Sequence, residues 1–71
     1  EAALPPAWVG TTYVALERTT GSRVVSVNRY GEGMLIDAAT VIQDDDIVHI
    51  ATEASGIAQL RSLIAGGPEG A

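Results

Sequence analysis

The chain has no cysteine, no lysine and no phenylalanine, and only one histidine and one tryptophan among its 71 residues. Without cysteine, no disulfide can staple the fold and no thiolate zinc site can form. His49 alone cannot build a histidine-rich metal cage. Positive charge is scarce as well: Arg18, Arg23, Arg29 and Arg61 stand against nine carboxylates, for a formal charge of −5. Nucleic-acid affinity comes mostly from Lys and Arg neutralising phosphates, so four scattered arginines in a negative field exclude a DNA- or RNA-binding role. The same field disfavours docking on anionic lipid. No apolar run approaches the roughly 20 residues of a membrane span, and no basic stretch precedes an apolar one as in a signal peptide. These absences predict a cytoplasmic domain without nucleic acid and without direct membrane insertion. Glu1, in place of an initiator methionine, suggests processing or excision from a longer chain.

What is present is 46% apolar residues in a chain of single-domain size. Residues 1–71 form one domain, with an ordered core expected over about 7–65 and a loose tail at 66–71. Ordering the chain at roughly 1.5 kcal/mol per residue costs on the order of 100 kcal/mol, which a single small core barely offsets. With disulfides and metals excluded, oligomerisation is the remaining stabiliser, and a homodimer is expected.

Along the chain, Pro5-Pro6 limits any first strand to an edge strand ending before Pro5. Trp8-Val9-Gly10 reads as a turn burying one aromatic. Thr11 or Thr12 supplies an N-cap for a helix over 13–20, closed by Gly21, with Leu16 and either Val14 or Tyr13 facing the core. Arg23 to Tyr30 reads as a strand whose period of two puts Arg23, Val25, Val27 and Arg29 on one face. Gly31-Glu32-Gly33 reads as a three-residue turn into a strand at Met34-Leu35-Ile36. Val41-Ile42 returns to the core, Asp44-Asp45-Asp46 turns, and Ile47 to Thr52 is the last strand. Ser55 is expected to cap a final helix through Ala65, with a stripe at Ile57, Leu60 and Ile64. The order β-α-β-β-β-α predicts an α+β fold, a small antiparallel sheet with two helices on one face.

Catalytic constellations are nearly absent. His49 sits mid-strand without convergent partners, so it reads as a partly buried strand histidine rather than a general base. The three consecutive aspartates lack the alternating spacing of a calcium loop, and read as a solvated turn. Gly31-Glu32-Gly33 lacks the third glycine and following helix of a phosphate loop. Arg29, beside Asn28 and Tyr30, combines a guanidinium fork, an amide and an aromatic face, which suit an anion or a nucleobase. The residues alone favour the simpler reading, an exposed arginine paired with Glu32 or Asp37. A small α+β enzyme or a metal-binding domain is disfavoured by this inventory.

Six short segments in order carry a resemblance: Val9-Gly10, Leu16, Arg23 to Gly31, Ile36, Thr40 to Gln43 and Asp46 to Ile50. Their cadence resembles the C-terminal domain of the RCK (regulator of potassium conductance) proteins, the TrkA-C type of bacterial Trk and Ktr potassium systems. The run Asn28 to Leu35 resembles actinobacterial members. The resemblance implies a non-enzymatic regulatory domain of a potassium-uptake protein. Its implied partners are an N-terminal RCK domain and, through it, a membrane potassium transporter subunit at the inner face of the plasma membrane. NAD or an adenine nucleotide would bind only that N-terminal domain, because no dinucleotide fingerprint lies in these residues. The resemblance further implies a homodimer whose seam accepts cyclic di-AMP in some branches, with Asn28, Arg29, Tyr30 and Ile36 as the ligand-binding residues here. Arg29 matches the family arginine. Ile36 stands where the family has proline, Asp45 where it has the glycine of a Gly-Asp turn, and Asn28 where a branched apolar residue is frequent. The alternative is a purely structural dimerisation module without ligand.

Overall fold

The computed structural model describes residues 2–68. Four strands, β1 (Ala2–Ala3), β2 (Arg23–Arg29), β3 (Glu32–Met34) and β4 (Ile47–Ala51), form one antiparallel sheet in the order β1-β4-β2-β3. Two helices, α1 (Tyr13–Thr20) and α2 (Ile57–Gly66), complete the expected α+β layout. Short 3-10 turns at Pro6–Trp8 and Ala54–Gly56 lead into the helical segments.

Helix α1 begins where Thr12 accepts a hydrogen bond from the Ala15 N–H at 3.1 Å, so Thr12 rather than Thr11 is the cap. It ends at Gly21, whose φ of 70° is the left-handed closure that favours glycine. Tyr13 and Leu16, one turn apart, are its buried pair, and Val14 is only half-buried. They join Trp8, Val24, Val27, Ile42 and Val48 in one core between helices and sheet. Residues 10–13 pair with the return segment: Gly10 N–H donates to Ile42 O at 3.0 Å, Ile42 N–H to Thr11 O at 2.7 Å and Tyr13 N–H to Thr40 O at 3.1 Å. That pairing buries Ile42 and leaves Val41 at the surface.

Four local expectations need correction. Strict alternation in β2 fails because a bulge at Val25 shifts the register between Val24↔Ile50 and Ser26↔His49. The extra residue lets both Val24 and Val27 face the core while Val25 is exposed. The hairpin turn has two residues, not three: Arg29 pairs with Glu32, and Tyr30 and Gly31 both have positive φ, 52° and 81°, the sign pattern of a type I′ turn. The returning strand is therefore Glu32–Met34, and Leu35 lies beyond it at 83% exposure. Ser55 makes no cap; a 3-10 turn precedes α2, whose cap position is Gly56, without a side-chain bond. Finally, the α2 stripe is shallow. Ile57 is 44% exposed, Leu60 and Ile64 are half-buried, and of the three only Ile64 packs on the core. Beyond α2, Gly67 is buried beside Ala7, while residues 69–71 of the expected loose tail lie outside the described residues.

Candidate functional site

The polar centre of the domain is assembled at one end of the sheet. Arg29 is the last residue of β2 and shares the core-side face with Val27, two residues earlier. Tyr13 opens α1, and Asp46 immediately precedes β4. The Asp44-Asp45 turn delivers Asp46 inward, with Asp45 in the left-handed region at φ 69°. This turn is not a wholly solvated one: the Asp46 side chain is 1% exposed.

Four donors converge on that carboxylate. Arg29 Nε donates to Oδ1 at 2.9 Å, and Arg29 Nη2 to Oδ2 at 2.8 Å, a side-on bidentate pair. The Tyr13 hydroxyl donates to Oδ2 at 2.7 Å and the Gln43 N–H to the same oxygen at 3.1 Å. Arg29 Nη2 also donates to the Val41 carbonyl at 3.0 Å. Arginine therefore pairs with Asp46, not with Glu32 or Asp37. Asp37 instead closes its own turn through the Ala39 N–H and Thr40.

Electrostatics follow from this geometry. The Arg29 hydrogen bonds hold the Asp46 carboxyl down at about 2, against the upward push of burial, with help from Tyr13 and the Gln43 N–H. The Tyr13 phenol is raised well above its ordinary value, first by burial and then by the adjacent Asp46 charge. A carboxylate so acidic and so fully bonded is a poor proton acceptor near neutral pH. It acts as a clamp joining β2, α1 and the return segment.

The four residues expected to bind a ligand do not share one pocket within a single chain. Asn28 faces the side of the sheet opposite Arg29, with Gly33 and Ile47 as its strand neighbours. Tyr30 stands at the hairpin tip, 81% exposed. Ile36 packs against the core two residues past the end of the ladder, and the register places Glu32, not Ile36, beside Arg29. A shallow depression of about 370 Å³ takes in Arg29, Tyr30, Glu32, Gly33 and Met34. Among the described residues, Nη1 of Arg29 has no hydrogen-bond partner, so it is the part of the fork open to an anion.

A larger polar cleft of about 730 Å³ lies at the other end, between the start of β2 and the start of α2, with Arg23, Glu53 and Gln59 in its wall. Among the described residues no cluster of three or more His, Asp or Glu is placed to hold a metal ion. Among the described residues no helix is long and apolar enough to cross a membrane. His49 is half-buried, paired in register with Ser26 across β2 and β4.

Sequence reasoning placed Arg29 but missed its partners Tyr13 and Asp46. The available signal was positional: of the three aspartates, Asp46 alone precedes the apolar strand directly.

The family model for the TrkA-C domain matches residues 2–65. A Trk system potassium uptake protein TrkA from Streptomyces coelicolor is 37% identical over 62 residues, covering 87% of this chain and 28% of that protein. The chain thus spans little more than a quarter of the length of that curated relative. No solved structure matches the chain. With nearly the whole chain matched, including the strand that carries Arg29 and the turn that delivers Asp46, the chain belongs to the TrkA-C domain family.

Proposed function

We propose that this chain is the cytoplasmic regulatory domain of a bacterial potassium-uptake protein, that it is non-enzymatic, and that it works as a homodimer. The observation that carries this reading is the family match over residues 2–65, joined to 37% identity with a protein named as a potassium uptake protein. The relative is more than three times the length of the matched segment, and this reading assigns the remainder to an N-terminal RCK domain holding NAD or an adenine nucleotide. Through that domain the assembly acts on a membrane potassium transporter subunit at the inner face of the plasma membrane.

Within this reading the dimer senses cyclic di-AMP through Asn28, Arg29, Tyr30 and Ile36. Arg29 contributes a single nitrogen, Nη1, because Nε and Nη2 are committed to Asp46 and Val41. Tyr30 offers an exposed ring for an adenine face. The second reading, a structural dimerisation module with no ligand, is favoured by that same commitment of the Arg29 fork. Calorimetric titration of cyclic di-AMP into the wild type and into Tyr30→Ala and Asn28→Ala decides between them. Arg29→Ala is unsuitable because it strands the buried Asp46. Sensing predicts binding heat in the wild type that is lost or weakened in both variants. Absence of heat in the wild type at near-millimolar ligand, or equal heat in all three, leaves the structural module.

A further inference from the structure

The β1 edge of the sheet is unfinished. β1 has two residues, Ala2 and Ala3, against the five of β4, and it covers only Val48 and Ile47. The two-residue hairpin turn makes Arg29↔Glu32 a hydrogen-bonded pair, so the N–H and C=O of Asn28 and Ser26 turn toward β4. Their partners Ile47 and His49 turn toward β2, and Val48 and Ile50 turn the other way, toward β1. Val48 meets Ala2 there. Ile50 meets nothing among the described residues: its backbone groups face an open edge two positions beyond the end of β1. Val24, opposite Ile50, fits the same parity, because its N–H turns away from β4 and donates to Glu17 Oε2 at 2.8 Å.

A groove runs beside that edge. Ala2, Ile50, Ile57, Leu60 and Ile64 line a depression of about 320 Å³ between β4 and α2, with Arg61 in its wall. Ile57 is exposed and Leu60 only half-buried, although both line the groove. An open strand edge beside an apolar groove suits strand addition, in which backbone bonds give affinity and alternate side chains fill pockets.

Resting on the reading above, in which an N-terminal domain precedes this one, we infer that the connecting polypeptide just before Glu1 prolongs β1 along β4 as far as Ile50 and fills this groove. Chain direction selects this occupant. β1 runs antiparallel to β4, with Ala3 opposite Ile47 and Ala2 opposite Val48, so each earlier residue moves one position toward Ala51. The residue immediately before Glu1 falls opposite Ile50. It donates its N–H to the Ile50 carbonyl and accepts the Ile50 N–H, a closed pair of hydrogen bonds. Its side chain lies on the face shared by Ala2 and Ile50, so it enters the groove and is apolar. The relative with 37% identity is long enough to supply such a connection, since the match covers 28% of it. A connection held as a strand passes a movement of the N-terminal domain into β4, directly after Asp46, whereas a flexible linker absorbs it.

Amide hydrogen exchange of the longer protein carrying these residues reads the pairing at Ile50. A prolonged β1 predicts an Ile50 amide that exchanges at least about tenfold more slowly than the amide of the exposed turn residue Asp44. Proline in place of the residue immediately before Glu1 removes the donor to Ile50 and abolishes that protection. Proline one position earlier, where the N–H faces away from β4, leaves it in place. The His49 amide, turned toward β2, stays protected in all three proteins and shows that the domain is folded. An Ile50 amide as fast as that of Asp44 in the wild type overturns the strand, and so does protection that both prolines affect alike. The regulatory reading fails separately: a longer protein with no nucleotide-binding domain ahead of Glu1 overturns it, while a protected Ile50 still establishes the strand.

Discussion

The indole N–H of Trp8 donates to the carbonyl of Ile64 at 2.8 Å, tying the first turn of the chain to the end of its last helix across 56 positions. Ile64 O also accepts from the Gly67 N–H at 3.1 Å, so the helix end keeps a partner if the indole is removed. Trp8 is itself fully buried in the core. Trp8→Phe should therefore lose about 1–3 kcal/mol, mainly from lost volume and one hydrogen bond. Urea unfolding followed by far-ultraviolet circular dichroism reads the difference.

Acid should unfold this domain through Asp46. Its carboxyl is held at about 2 in the folded chain against an ordinary 3.8. A depressed folded value contributes stability that is complete well above the unfolded value and is lost as pH falls through the folded one. A shift of this size is worth about 2–3 kcal/mol, lost between roughly pH 5 and pH 2. Asp46→Asn should be less stable at neutral pH and show a flatter stability profile over that window. Thermal melts of both proteins from neutral pH to pH 2 provide the check.

Tyr13→Phe removes one of the four donors to Asp46 without changing the ring. A hydrogen bond to a charged group contributes about 1.5–3 kcal/mol, and the three remaining donors place the expected loss at the lower end. In a Tyr30→Phe background the Tyr13 phenol is the only one present, and it should ionise only well above pH 10. Ultraviolet absorbance during an alkaline titration reports this directly.

The shallow seat of α2 fixes an order among its apolar residues. Ile64 packs against the core, Leu60 is half-buried and Ile57 is exposed. Ile64→Ala should cost about 2 kcal/mol, Leu60→Ala about 1 kcal/mol and Ile57→Ala less than either. Denaturant midpoints for the three variants give the order.

Asp45 occupies a left-handed conformation at φ 69°. An L-residue there costs about 1–2 kcal/mol, whereas glycine adds about 0.5–1 kcal/mol of unfolded-chain entropy. Asp45→Gly should therefore stabilise the domain by up to about 1 kcal/mol, visible as a raised melting temperature.

Much of this fold was legible from residue spacing alone. The helix over Tyr13–Thr20, with Thr at its start and Gly21 at its close, matched local capping chemistry, and the β-branched run of β2 announced a strand. What escaped the pattern was governed by partners distant in sequence. The Val25 bulge arises where β2 meets β4, and periodicity within β2 alone cannot reveal it. The two-residue turn was hidden because tyrosine, an unusual occupant of a left-handed position, fills its first place while three nearby residues, Gly-Glu-Gly, look like the turn. Arg29 stood out by its fork, but its pairing with Asp46 needed the return segment to bring residues 17 apart together. Asp46 itself was masked by Asp44 and Asp45, which share its chemistry but not its burial.

The proposed role in regulating potassium uptake is tested most directly by flux. Potassium uptake would be followed in cells whose only uptake system includes the longer protein carrying these residues, either intact or with residues 1–71 deleted. Deletion should change the uptake rate severalfold while the transporter subunit remains present. Identical uptake with and without the domain would contradict it.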